Sequence, residues 1–408
     1  MAPPLVLQRI STSSRGRLLR SGRLWELDRT ISRASALCLR KLRVAYSFIS
    51  MPVGGAEDFA AVVSRYLPAP FHPVFLCLRD LGVLGDELRA LGREVHLVPV
   101  APGKRWNAAG TVRLARWFRS QRIGLVHSQT YNSHTYAVPA ARLAGVGCLL
   151  HQQKTFERLK PHRMLIMRLL VRYAHRVAAL SEKTQRDLIA AFHLPPARTA
   201  VIPNVIDPAE FFPLDDRAAL RNRLGVDPDA FIIGSIASLN AVKNHAATLQ
   251  VLRRLRDEGL SFEAYFFGEG KERAFLESIR RNLNLERIVH MPGNKRPVAP
   301  WLQTLDLVVH PSRSEGKPLA LLQTIACRIP IIASRIEGNT AVLGEKHPGL
   351  FIPEVSEEYR SLVRRAIRED AFRNELVAAQ DGLLKDLPTA PRIAEELARL
   401  YTQITSKS

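Results

Sequence analysis

From Leu42 onward, short apolar runs alternate with stretches whose apolar residues recur every three or four positions. The runs Leu42–Ile49, Val74–Leu78, Val95–Pro99, Ile123–His127, Cys148–His151 and Arg176–Leu180 read as strands. Between them Glu57–Leu67, Thr111–Arg119, Thr135–Leu143 and Leu165–Tyr173 read as amphipathic helices. A Pro-rich segment, Val201-Ile-Pro-Asn-Val-Ile-Asp-Pro through Phe212-Pro213, interrupts this rhythm and reads as an interdomain linker. The alternation then restarts with strands Phe231–Ile236, Phe262–Phe267, Ile288–Met291, Leu307–Val309 and Pro330–Ala333. Helices Ala246–Arg256, Glu272–Leu283 and Leu319–Ala326 lie among them, and Ile393–Ile404 closes the chain. Such βαβ alternation predicts an α/β protein of two doubly wound, Rossmann-like domains with ligands in the cleft at the strand C-termini. The boundaries expected are an extension at 1–40, a first domain at 41–200, a linker at 201–215 and a second domain at 216–385. A final helix at 386–408 is expected to return to the first domain.

Composition is that of an ordinary globular chain of 408 residues, with 46% apolar and 24% charged residues. Cys38, Cys77, Cys148 and Cys327 are scattered, which predicts reduced, mostly buried thiols in a reducing compartment. No uninterrupted apolar run is long enough to span a bilayer, since Gln323, Thr324 and Arg328 break the longest. The chain is expected to be cytoplasmic.

Charge changes this picture. The net charge is +21, and residues 1–200, with 31 Lys and Arg against 11 Asp and Glu, carry nearly all of it. Arg168, Arg172 and Arg176 recur every four residues beside Met164, Leu165, Met167, Leu169 and Leu170. Arg113, Arg116 and Arg119 recur every three. This asymmetry predicts contact with an anionic membrane surface through the first domain, peripherally and at the inner face. Nucleic acid fits less well, because the basic stretches lack interleaved aromatic residues. Residues 1–40, with eight Arg against Glu26 and Asp28, resemble a transit peptide in composition but contain no signal-peptide apolar core.

Candidate chemistry clusters at strand-to-helix junctions. Gly54 and Gly55 follow the first strand, where glycine lets backbone amides approach an anion at a helix start. Gly268-Glu-Gly270 and Glu315-Gly-Lys-Pro318 stand at similar junctions in the second half, and Lys243 at a third can meet phosphate as a point charge. Glu315 and Gln323 are eight residues apart, roughly 12 Å if both lie on one helix. Asp227-Pro-Asp229 spells a metal-binding pattern but sits in a turn-prone context. No His/Cys cluster has metal spacing, and no metal or cofactor is expected.

Six segments in order resemble family-4 retaining glycosyltransferases of the GT-B fold. They are Gly54-Gly55-Ala56-Glu57, Val201-Ile-Pro-Asn-Val-Ile-Asp207, Ile233-Gly-Ser-Ile-Ala-Ser-Leu through Lys243-Asn-His245, Phe267-Gly-Glu-Gly270, His310-Pro-Ser-Arg-Ser-Glu-Gly316 and Pro330-Ile-Ile-Ala-Ser334. The resemblance implies a nucleotide-diphosphate-sugar donor held by the second domain and an acceptor held by the first. It implies that Lys243 binds the diphosphate, assisted by amides around Gly316, Lys317, Pro318 and Leu319 and by Gly55. Glu315 would meet sugar hydroxyls, Gln323 the ribose, and the turn of Gly293, Asn294 and Lys295 the base. The implied reaction retains configuration without an enzyme nucleophile or a metal.

Three positions depart from the family's pattern. Gln323 stands where Glu is usual, Ser238 where an Arg is common, and Gln129 where a His-x-His motif ending the fourth strand (here His127-Ser-Gln129) has its second His. Arg313 or Lys317 could replace the lost cation, and His134 the lost imidazole. The reading is a hexosyltransferase acting on a lipid-linked or anionic envelope-glycan acceptor. The alternative is a degenerate homologue that binds nucleotide-sugar as a scaffold or partner subunit.

Overall fold

The computed structural model describes residues 41–52, 54–100, 106–152, 161–353 and 356–406. The extension at 1–40, with Cys38, lies outside the described residues, and residues 42–408 make one unit. Within it are two wholly parallel sheets. The first comprises β1 (Leu42–Phe48), β2 (Phe71–Cys77), β3 (Val95–Leu97), β4 (Ile123–Ser128), β5 (Gly147–Gln152), β6 (Arg176–Ala179) and β7 (Thr199–Val201), in the spatial order β3-β2-β1-β4-β5-β6-β7. The second comprises β8 (Ile232–Ile236), β9 (Glu263–Phe267), β10 (Val289–Gly293), β11 (Leu307–His310), β12 (Ile331–Ser334) and β13 (Leu350–Phe351), ordered β10-β9-β8-β11-β12-β13. In each sheet the order reverses beside the first strand, between β1 and β4 and between β8 and β11. Such switch points are where doubly wound sheets bind ligands.

The strands read as unbroken apolar runs because helices cover both faces. Every residue of β5, β11 and β12 is buried. On one face of the first sheet, the helices Ala108–Ser120, Tyr131–Ala144 and Pro161–Tyr173 contribute Leu114, Phe118, Ala137, Ala141, Met167 and Leu170 to the core. On the other, Gly55–Val63, Gly82–Ala90 and the last helix, Ala390–Thr405, contribute Phe59, Leu84, Ile393, Leu397 and Tyr401. The last helix therefore packs on the first sheet. The second sheet is covered likewise, by Leu249, Leu252, Val363 and Leu376 on one face and Leu302, Leu321, Ile325 and Val342 on the other.

Several elements differ from the expectation. β7 lies in the stretch bordering the expected linker; it is three residues long with Pro203 two positions beyond it, so it has no readable period. The linker itself is pinned rather than loose. The Ile206 amide donates to Pro388 O at 3.0 Å and the Ala390 amide to Ile206 O at 2.8 Å, so the two crossings between the sheets are bonded together. Asp207 is buried against Arg65 at 2.8 Å and accepts from Tyr66 Oη at 2.6 Å. Helices at Gly82–Ala90, Glu182–Phe192, Arg217–Leu224, Glu337–Leu343, Ser356–Arg368 and Asp370–Asp381 also join the fold. Asp227 accepts from the Asp229 amide at 2.9 Å in an exposed turn, so that acidic pattern is local turn chemistry. Cys77, Cys148 and Cys327 are free and buried.

Candidate active site

Two loops leave the strands that flank the second switch point, and together they build the most elaborate polar cluster at that edge. After β8, Asn240 accepts from the Lys243 amide at 3.3 Å and donates to Ser238 Oγ at 2.8 Å. These bonds fold a tight turn, Ala241–Lys243, ahead of the His245–Asp257 helix. After β11, the 311–318 loop leads into the Leu319–Ala326 helix. The Arg313 amide donates to Val242 O at 2.8 Å and ties the two loops together.

Glu315 is where they converge. Its Oε1 accepts from Ser312 Oγ at 2.8 Å, lies 3.0 Å from His310 Nε2, and takes the ammonium of Lys243. Behind it, Asn339 Nδ2 donates to Ser334 O at 2.8 Å, and Ser334 in turn donates to Ser312 O. Gly338 lets this support come close, since a Cβ there would lie 2.4 Å from Glu315 O. Burial alone would raise the Glu315 carboxyl, but the His310 bond and the Lys243 charge hold it down at about 2. At neutral pH this group is a fixed acceptor with a cation beside it. Because Glu315 precedes the helix that begins at Leu319, the single-helix measure between Glu315 and Gln323 does not apply.

Glycines bring the strand ends together. Gly268, at φ +148°, donates its amide to Gly293 O at 3.0 Å, and a Cβ on it would lie 2.0 Å from Ala237 O. Gly293 is itself at φ +78°. Only glycine suits both demands.

A cleft of about 860 Å³ lies between the two sheets' helices. Of the residues singled out from sequence, it brings together Gly55, Ser238, Gly268, Asn294, Lys295, Leu319 and Gln323. Lys243, Glu315, Arg313, Gly316, Lys317 and Pro318 stand on the two loops at the same sheet edge without lining it, and Gly54 and Gly293 sit one residue from lining positions. Burial pushes the Lys317 ammonium down, while Glu182 of the first domain opposes that shift.

The structure does not bring His127, Gln129 and His134 to the cleft: all three are fully buried. His127 belongs to a buried hydrogen-bonded chain that carries no local sequence mark. His151 Nε2 donates to Ile202 O at 3.1 Å, and its Nδ1 lies 3.3 Å from His127 Nε2. His127 Nδ1 meets Tyr401 Oη at 2.7 Å, which meets Tyr46 Oη at 3.0 Å. Burial holds both imidazoles below their ordinary range, so each has one proton and the direction of every bond is set. His151 gives to the carbonyl, His127 to His151, Tyr401 to His127 and Tyr46 to Tyr401. His134 Nδ1 is 2.7 Å from Ser128 Oγ, and burial pushes it down to about 3. These bonds fasten the last helix and the strand ends.

Two further groups carry no mark in the sequence. His310 and Ser312 lie inside a motif but give no sign that they hold Glu315. Arg296 is in the loop after β10, and its partners Asp58 and Glu87 lie more than two hundred positions away across the cleft. Among the described residues no three His, Cys, Asp or Glu are grouped as a metal site requires, and no helix is long and apolar enough to cross a membrane.

Two parallel-sheet domains facing a cleft, each with a switch point on it, are the GT-B architecture, and solved structures share this fold. HepE of Anabaena, in a complex with UDP and glucose, aligns over 88% of this chain and 99% of its own with a TM-score of 0.72 at 19% identity. Residues 53–210 match the glycosyltransferase family 4 profile, and residues 216–381 match the profile of glycosyl transferases group 1. The Bacillus subtilis protein EpsF, named as a glycosyltransferase, is 31% identical over 306 residues, covering 72% of this chain and 79% of EpsF. The UDP-Gal:alpha-D-GlcNAc-diphosphoundecaprenol alpha-1,3-galactosyltransferase of Escherichia coli is 23% identical over 332 residues, 76% of this chain and 84% of that enzyme. The chain belongs to glycosyltransferase family 4.

Proposed function

We propose that this glycosyltransferase moves a hexose, with retention of configuration, from a nucleoside-diphosphate sugar to a lipid-linked or anionic envelope-glycan acceptor at a membrane face. The observation that carries this reading is the Lys243–Glu315 pair, a cation and a fixed carboxylate on the two loops beside the second sheet's switch point. A diphosphate there takes Lys243 as its counter-cation, and amides at the start of the Leu319–Ala326 helix add a favourable dipole. Glu315, ionised and released from Lys243, accepts from a sugar hydroxyl. Gln323 offers its amide to the ribose, and Asn294 lies on the turn that meets the base. The bond from the anomeric carbon to the diphosphate breaks through an oxocarbenium-like state. The acceptor oxygen bonds to that carbon on the face the diphosphate leaves, and its proton passes to the departing oxygen. Charge placed in advance around that oxygen supplies the stabilisation, with no enzyme nucleophile and no metal.

Uridine is the nucleoside to try first, because the HepE complexes hold UDP and the Escherichia coli relative is named for UDP-galactose. That relative's diphosphoundecaprenol acceptor supports a lipid-linked acceptor here. The test is hydrolysis of a panel of nucleotide-sugars without acceptor, comparing the wild type with Lys243→Ala and Glu315→Ala. Turnover of one donor that both substitutions abolish supports the reading and names the donor. Binding without turnover, even with lipid extract present, favours the degenerate scaffold instead.

A further inference from the structure

One face of the first domain carries a surface outside the cleft. Between Glu94 and Glu182 the chain has fourteen Lys and Arg and a single carboxylate, Glu157. Within that stretch, the Pro161–Tyr173 helix buries Met167, Leu170 and Val171 but exposes Leu165, Ile166, Leu169 and Tyr173, Leu165 to 64%. Residues 165, 169 and 173 recur every four positions, so they form one stripe along the helix with Ile166 beside it. Arg168 and Arg172 run along its edge, and the helix has no acidic residue.

At the end of the stripe, Tyr173 also walls a cavity of about 310 Å³ lined by Arg142, Arg172, Ala174, His175 and Arg198. No carboxylate lines it. Arg198 donates to the helix's final carbonyls, Val171 O at 2.9 Å and Arg172 O at 3.2 Å. His175 Nδ1 accepts from the Cys148 amide at 3.1 Å, so Nε2 carries the proton of the neutral ring. Arg142 and Arg172 have no carboxylate partner among the described residues. The crowding is felt within the cavity: burial, then Arg142 and Arg198, hold the His175 imidazole below its ordinary range.

We propose that this face docks on an anionic phospholipid bilayer, with the stripe Leu165, Ile166, Leu169 and Tyr173 entering the interface and the Arg142–Arg172–Arg198 cavity taking a headgroup phosphate. Charge selects this occupant. A second copy would bring the same arginines to meet these, and residues 1–40 are themselves strongly basic. An anionic surface complements both the stripe and the cations. The proposal rests on the reading that the acceptor is presented at a membrane, but it is tested by binding rather than turnover.

The experiment is flotation of the full chain with vesicles of phosphatidylcholine alone or mixed with phosphatidylglycerol. The wild type binds only the anionic vesicles, and added salt weakens binding. Leu165→Ser with Leu169→Ser lowers partition at least tenfold. Arg142→Ala with Arg172→Ala lowers it roughly thirtyfold, about fivefold for each cation near such a surface. All of these positions are exposed, and unchanged circular dichroism and melting confirm that the variants fold. Equal binding to neutral vesicles, no binding at all, or a wild-type dimer that Leu165→Ser with Leu169→Ser dissociates would each overturn the proposal. Donor hydrolysis by the same samples stays at the wild-type rate, so a failed transferase reading is distinguishable from failed docking.

Discussion

Arg296 reaches across the cleft from the second domain, its Nη1 3.1 Å from Asp58 Oδ1, while its Nε lies 3.2 Å from Glu87 Oε2. Burial raises the Asp58 carboxyl, and Arg296 opposes that shift and so favours its charged form. Arg296 and Asp58 are about one-third exposed and Glu87 is 42% exposed, and pairs of that kind add at most about 1 kcal/mol to folding. Contacts that span the cleft are expected to act instead on how far it opens. Arg296→Ala is expected to leave the melting temperature nearly unchanged and to enlarge the radius of gyration in solution scattering. It should also raise the donor KM more than it lowers kcat. An unchanged radius of gyration would show that the clasp does not hold the cleft closed.

Glu315 and Lys243 each lose a partner when the other is replaced. Lys243→Ala removes the cation facing the diphosphate, and losses of comparable preorganised donors cost about 10²–10³ in kcat. Glu315→Gln keeps the bond from Ser312 but removes the charge that holds Lys243 in place. The double variant is expected to be little slower than Lys243→Ala alone, because the two groups act as a unit. Fully additive losses in donor hydrolysis would contradict a coupled pair.

Ser238 is exposed on the cleft, and its hydroxyl only accepts from Asn240 Nδ2 at 2.8 Å. Nothing covers the side chain, so an arginine fits without repacking. Ser238→Arg places a second cation beside the diphosphate position and is expected to raise donor hydrolysis at least tenfold, within the range such donors provide. A loss of rate would mean that this site has adapted to serine.

The alternation of strand and helix was legible because parallel strands covered on both faces must be continuously apolar, and β5, β11 and β12 show this plainly. The motif glycines were legible too, since Gly268 and Gly293 occupy positions where backbone geometry admits little else. What escaped was everything that depends on distant pairing. β7 has three residues and no period of its own, yet it completes a sheet. His127 ends a strand whether it faces a cleft or a core, and only the return of Tyr401 from the last helix decides which. Arg296 carries no local mark of Asp58.

Tyr401 is the hinge of the buried chain, donating to His127 and accepting from Tyr46. Tyr401→Phe keeps the ring in its packing but leaves His127 Nδ1 without a donor and Tyr46 Oη without an acceptor. Unsatisfied buried groups of this kind cost about 1–3 kcal/mol each. Denaturant titration should show a loss of about 2–4 kcal/mol, with the m-value unchanged. A loss below about 0.5 kcal/mol would mean that water reaches these atoms.

His151 gives the chain a defined acid sensitivity. Burial, partly offset by the bond to Ile202 O, sets its native value at about 4, whereas an exposed imidazole titrates near 6.5. The native state therefore keeps His151 neutral between those limits while the unfolded chain takes up a proton. Stability from this residue is complete above about pH 6.5 and is lost as pH falls towards 4, at about 1.4 kcal/mol per pH unit. At pH 5 the loss from His151 alone is about 2 kcal/mol. His134 at about 3, and His245 and His347 at about 4, act in the same direction, so the whole chain loses stability by several protons' worth of slope. His151→Gln lacks the titrating group. It lowers stability at every pH by losing hydrogen bonds, but its stability between pH 6.5 and 5 falls with about one proton less of slope than the wild type. Denaturant titrations at half-unit pH steps measure that difference. Parallel curves for the two proteins would mean that the His151 proton is also taken up in the native state.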